Sequence, residues 1–74
     1  MMTIYATYRG YDENFNALLD RTMKRKSTAG GYSFVGQGIS DREWEFTQAK
    51  AAHAALARLK KIKSHRLRCK IISE

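Results

Sequence analysis

Residue types that could do chemistry are unevenly placed in this 74-residue chain. The two histidines, His53 and His65, are twelve positions apart, and Cys69 is the single cysteine. That spacing offers no paired ligands for a metal, and one thiol cannot close an intrachain disulfide. Asp12 with Glu13, and Glu43 with Glu45, are carboxylate pairs in sequence only, because nothing sets an acid and a base around a common cleft. Lys26, Ser27 and Thr28 have the types that end a phosphate-binding loop. The glycines that should precede the lysine instead come after it, as Gly30 and Gly31, where they read better as a turn. The expectation is a protein that is not an enzyme and that requires no metal or cofactor.

Cations remain. The tract from Leu59, "LKKIKSHRLRCKI", holds Lys60, Lys61, Lys63, Arg66, Arg68 and Lys70 with no acid among them. The chain carries a net charge of +7. Residues 1–45 balance six basic against six acidic side chains, whereas residues 46–74 hold eight basic ones against Glu74 alone. Such asymmetry points to a polyanionic partner. The plainer reading is that helix dipoles favour cations in a last turn by roughly 0.3–1 kcal/mol each. Dipole compensation does not explain why the same sign continues through Arg66, Arg68 and Lys70.

The elements that must carry these residues can be read from periodicity. Thr3 to Arg9 alternates, with Ile4, Ala6 and Tyr8 on one face, and predicts a half-buried strand. Asp12 is a competent N-cap for a helix with Phe15, Leu18, Leu19 and Met23 at helical spacing, ending near Lys26. "STAGG" reads as a loop and Tyr32 to Val35 as a second strand. Residues 41–47 fit two patterns. Ser40 with Glu43 suits a capping box that would open one long helix to Lys63. The alternation of Arg42, Trp44 and Phe46 suits a third strand, which is preferred because the second strand needs a partner and Thr47 can cap the second helix. The alanine-rich run from Gln48 predicts that helix to Lys63, with Ala52, Ala55, Leu56, Leu59 and Ile62 inward. "HRLRCKII" predicts a last strand with Leu67, Cys69 and Ile71 inward.

The order strand, helix, strand, strand, helix, strand over residues 1–74 predicts a single small α+β domain. Its simplest form is a four-stranded antiparallel sheet with both helices on one face, the ferredoxin-like arrangement. In this reading both helix C-termini meet at one edge. Lys24, Arg25 and Lys26 would then join Lys60, Lys61, Lys63 and Arg66, with Arg68 and Lys70 continuing along the strand and Tyr5 beside Arg68. The segments "TIYATY" and "GGYSFVG" resemble the aromatic strand motifs of RNA recognition domains only loosely. The second motif falls on the wrong strand, and Tyr32, Phe34, Trp44 and Phe46 are expected under the helices, so sequence readout is not expected.

The leading expectation is therefore a non-enzymatic basic module that contacts nucleic acid, RNA or DNA without sequence specificity, or a nucleic-acid-bound complex. The rival is a protein-interaction module, an inhibitor or accessory factor, that binds an acidic protein surface or forms a homodimer through exposed sheet edges. A lone cysteine, no signal-like N-terminus and no apolar run of membrane-spanning length fit a cytoplasmic protein with no membrane partner. "ALARLKKIK" is amphipathic but lacks the aromatic anchors of a helix that lies on a membrane.

Overall fold

A computed structural model describes residues 1–33 and 38–73 of the chain. The elements run β1 (Met2–Arg9), α1 (Glu13–Met23), β2 (Ala29–Ser33), β3 (Ile39–Phe46), α2 (Ala49–Leu59) and β4 (Arg68–Ser73). The strands form one antiparallel sheet in the order β2-β3-β1-β4. This is the ferredoxin-like α+β arrangement.

The alternation in β1 does what a half-buried strand requires: Ile4, Ala6 and Tyr8 are sealed under the helices. Trp44 and Phe46 of β3 join them, and the helices contribute Phe15, Leu19, Met23, Ala52, Ala55, Leu56 and Leu59. The strand pattern of residues 41–47 thus prevails over the long-helix alternative, because it buries the large Trp44 ring against β1. Trp44 Nε1 donates to Asp20 Oδ1 at 3.1 Å, so the indole is buried without an orphaned donor. Small alanines at the α2 contact let that helix lie close to the sheet.

Asp12 caps α1 as expected, its Oδ1 accepting from Phe15 N at 3.1 Å. The helix stops at Met23, three residues before the expected end. Lys24 takes the left-handed conformation (φ 61°), and the N–H groups of Lys24 and Arg25 return to the carbonyls of Arg21 and Asp20. Leu18, expected inward, is 37% exposed.

Strand β2 begins at Ala29, so the last three residues of the expected "STAGG" loop are strand. Tertiary pairing overrides local propensity: a Cβ at Gly30 would stand 2.9 Å from the Asp41 carbonyl oxygen and 3.1 Å from Arg42 Cδ. Tyr32 is 37% exposed, not core, because β2 is an edge strand, exposed along all five residues. The strand and core expectations for Phe34 and Val35 lie outside the described residues.

Helix α2 starts from Gln48, not Thr47, and no side chain caps it. It ends at Leu59, four residues earlier than expected, although Ile62 still packs on the core from the adjoining turn. Strand β4 begins only at Arg68, since His65 (φ 57°) and Arg66 (φ 54°) are both left-handed and cannot pair as strand.

One expectation about position is overturned. Strands β1 and β3 are antiparallel to each other, so helices that run antiparallel to each of them also run antiparallel to one another. Their C-terminal ends therefore lie at opposite ends of the sheet. Arg25 reaches Glu45 and Phe46 at the Met2 end, whereas His65 hydrogen-bonds Arg9 at the other. Seven residue steps of β1 separate the two, roughly 23 Å. "MKRK" and "LKKIK" are not neighbours.

Candidate functional site

The connection from α2 to β4 builds a cationic corner. Leu59 is fully buried, and Ile62 and Leu67 are partly buried against the core, so the intervening Lys60, Lys61, Lys63 and Arg66 are pushed outward and are all exposed. The corner is held by His65. Its carbonyl accepts from Arg9 N at 2.8 Å, and its ring stacks on Phe15 at 3.9 Å between centroids and meets Tyr8 edge-on. Nε2 lies 3.1 Å from Asp12 Oδ2 and Nδ1 lies 2.6 Å from Ser64 Oγ. Ser64, His65 and Asp12 stand in the order of a hydrolytic relay. However, the other Asp12 oxygen caps α1 and the ring is stacked, so the group ties the corner to the start of α1. The cap bond from Phe15, and after it the His65 contact, holds the Asp12 carboxyl below its ordinary 3.8.

Three adjoining surface depressions meet at Arg68. Lys60, Lys63 and Arg66 line the first, Lys70 and Tyr5 the second, and Arg9 with Arg66 the third. Among the described residues no carboxylate lines any of them. None of these cations forms an ion pair among the described residues, where the pairs are Arg42 with Asp20 and His65 with Asp12. Such a surface is suited to several phosphate contacts at once.

Of the predicted site residues, Lys60, Lys63, Arg66 and Arg68 are brought together, with Lys61 exposed in the same turn. Arg66 belongs to the corner and not to the strand face. Tyr5 stands directly opposite Lys70, whose Nζ is 5.9 Å from the ring centre, while Arg68 pairs with Thr7. Lys24, Arg25 and Lys26 are excluded from the corner by the opposed helices. Arg25 is also engaged, with its guanidinium 4.0 Å from the Phe46 ring centre and Nη1 donating to the Glu45 carbonyl at 2.7 Å. Arg9 belongs to the site, although its sequence signal extended only to an outward position in β1. The Asp12–His65 contact spans 53 positions and had no local signal.

The uncovered sheet face is not uniformly basic. Register places Asp41, Glu43 and Glu45 in one column on β3 and Arg68 and Lys70 in another on β4, with Thr3, Tyr5 and Thr7 of β1 between them. A polyanion laid flat on this face would meet the acids, which favours the corner as its contact. Partial burial raises the Cys69 thiol above its ordinary value, with Lys60 opposing, consistent with a packing role. Among the described residues no group of three or more His, Cys, Asp or Glu could hold a metal ion, and no helix is long and apolar enough to cross a membrane. Compared with known proteins, the chain matches no family model, no curated protein and no solved structure, so its functional reading rests on this geometry.

Proposed function

We propose that the chain is a small binding module that contacts nucleic acid through the corner between α2 and β4, by its phosphates and not by its base sequence. The observation that carries this is the meeting at Arg68 of three depressions with no acid among their described lining residues, and with Arg9, Lys60, Lys63, Arg66 and Lys70 around them. Exposed cations that form no ion pair among the described residues leave their charge available to a ligand, and release of the ligand's counterions then supplies affinity. The role is binding and not catalysis, because the acid–base groups at the corner are used in holding it together.

Salt dependence is the test. With roughly four to five phosphate contacts, log affinity plotted against log salt falls with a slope of roughly −3.6 to −4.5 on double strands and roughly −2.8 to −3.5 on single strands. Fluorescence anisotropy with a labelled oligonucleotide of unrelated sequence measures this directly. A flat plot, or no binding at low salt, defeats the reading.

A further inference from the structure

We infer that the uncovered face of the sheet is a self-association surface that takes a second copy of this chain, related by a two-fold axis lying in the face and parallel to β1. The placement of the acids carries this. Among the described residues Asp12 is tied to His65 and the cap of α1, Asp20 is held by Arg42 and Trp44, and Glu13 sits in the first turn of α1. The other three, Asp41, Glu43 and Glu45, form no ion pair among the described residues, and all lie on the uncovered side of β3. Arg9, Arg68 and Lys70 occupy the same side on β1 and β4, so the face is neutral although the chain carries +7.

The two charge columns are two strand spacings apart, about 9.6 Å, with β1 midway. Rotation about an axis along β1 keeps each residue's height on the strand and exchanges left for right. It sets Asp41 against the partner's Arg68 and Glu43 against the partner's Lys70, each pair occurring twice, with Tyr5 meeting its own mate near the axis. Rotation about the perpendicular axis in the face would set acids against acids. Charge therefore selects one packing of the sheets, with strands nearly aligned. Arg9 falls at the end of β1, where its exposed side chain can turn away from its mate. Four strands about 20 Å long present roughly 400 Å² per copy, about half of what a stable interface buries on each partner, so the dimer is weak and transient and depends on the charge pairs.

Arg68 and Lys70 border both this face and the corner, so a phosphate and the second copy compete for them; charge exchange is therefore read on nucleic-acid-free protein, where association depends on this face alone. Sedimentation velocity up to about 1 mM covers the weak range. The wild-type chain is expected to dimerise with rising concentration. Glu43→Lys alone and Lys70→Glu alone each weaken association about tenfold or more, since each homodimer then holds two like-charge contacts. An equimolar mixture of the two variants regains it, because both contacts between positions 43 and 70 are then opposite in sign, and so does the double variant. Asp41→Lys with Arg68→Asp is the second exchange set, used if circular dichroism shows either first variant unfolded. A wild-type chain that stays monomeric overturns the inference, as does a mixture that associates no better than its components.

Discussion

At the end of α1, Lys24, Arg25 and Lys26 come directly after Met23; at the other end of the sheet, Lys60, Lys61 and Lys63 come after Leu59 in nearly the same composition. Their surroundings differ. At the α1 end the chain turns through a left-handed Lys24, and Arg25 lies over Phe46 while donating to Glu45, so the middle cation helps to hold the fold. At the α2 end the apolar residues between the cations reach the core, and the cations face outward around depressions that Arg9, Arg66 and Arg68 extend. A basic tract is thus assigned a role by what already satisfies its charges. Only the second tract gathers its cations around shared depressions with Arg9, Arg66 and Arg68.

The largest expected effect separates these two ends. Lys60→Glu with Lys63→Glu and Arg66→Glu should lower oligonucleotide affinity on the order of 100-fold at low salt, whereas Lys24→Glu with Lys26→Glu should change it by less than about threefold. Comparable losses from both sets would mean that net charge, and not the corner, drives binding.

Next comes the tie that holds the corner. Asp12→Ala removes both the cap of α1 and the partner of His65, and should lower the melting temperature by on the order of 5 °C. The pH dependence has a definite sign. A carboxyl held below 3.8 in the folded state contributes stability in full above that value, and the contribution is lost as pH falls through the depressed folded value. Asp12→Asn should therefore flatten the acid limb of stability measured by denaturant titration. An unchanged limb would place the acid sensitivity elsewhere.

The smallest effects sharpen the contrast one residue at a time. Arg25→Ala should cost about 0.5–1 kcal/mol of stability through the lost ring contact and leave affinity unchanged. Arg66→Gly should do the reverse: relief of its positive φ adds about 0.5 kcal/mol, while affinity falls severalfold. Paired thermal melts and anisotropy titrations decide both.

Much of the fold was legible because its strands and helices alternate apolar and polar residues with little conflict. Ile4, Ala6, Tyr8, Trp44 and Phe46 declare their faces by period alone, and Asp12 declares the start of α1 by chemistry. Element ends were less legible. Lys24, His65 and Arg66 adopt left-handed backbone although none is glycine, and β2 recruits Ala29 and Gly30 through pairing with β3. The members of the cationic corner were visible as a tract, but its extent was not. Whether Lys24–Lys26 adjoin it depends on strand direction, and Arg9 and Asp12 reach it only through the closed fold. The acid column was present in the i, i+2 spacing of Asp41, Glu43 and Glu45, but its relation to Arg68 and Lys70 needed the register.

The position of β1 has a consequence in time. It is the earliest strand in the chain and a central one in the sheet, bonded to β3 on one side and to β4 on the other. About 60 residues separate Arg9 from Arg68, so at synthesis rates of about 5–20 residues per second β1 waits roughly 3–12 s for its second neighbour. Once β3 has been made, in the second half of that interval, β1 can pair with it while its other edge offers unpaired amides to any strand nearby. A growing chain is therefore most open to joining another copy, or a chaperone, just before its cationic corner has been made.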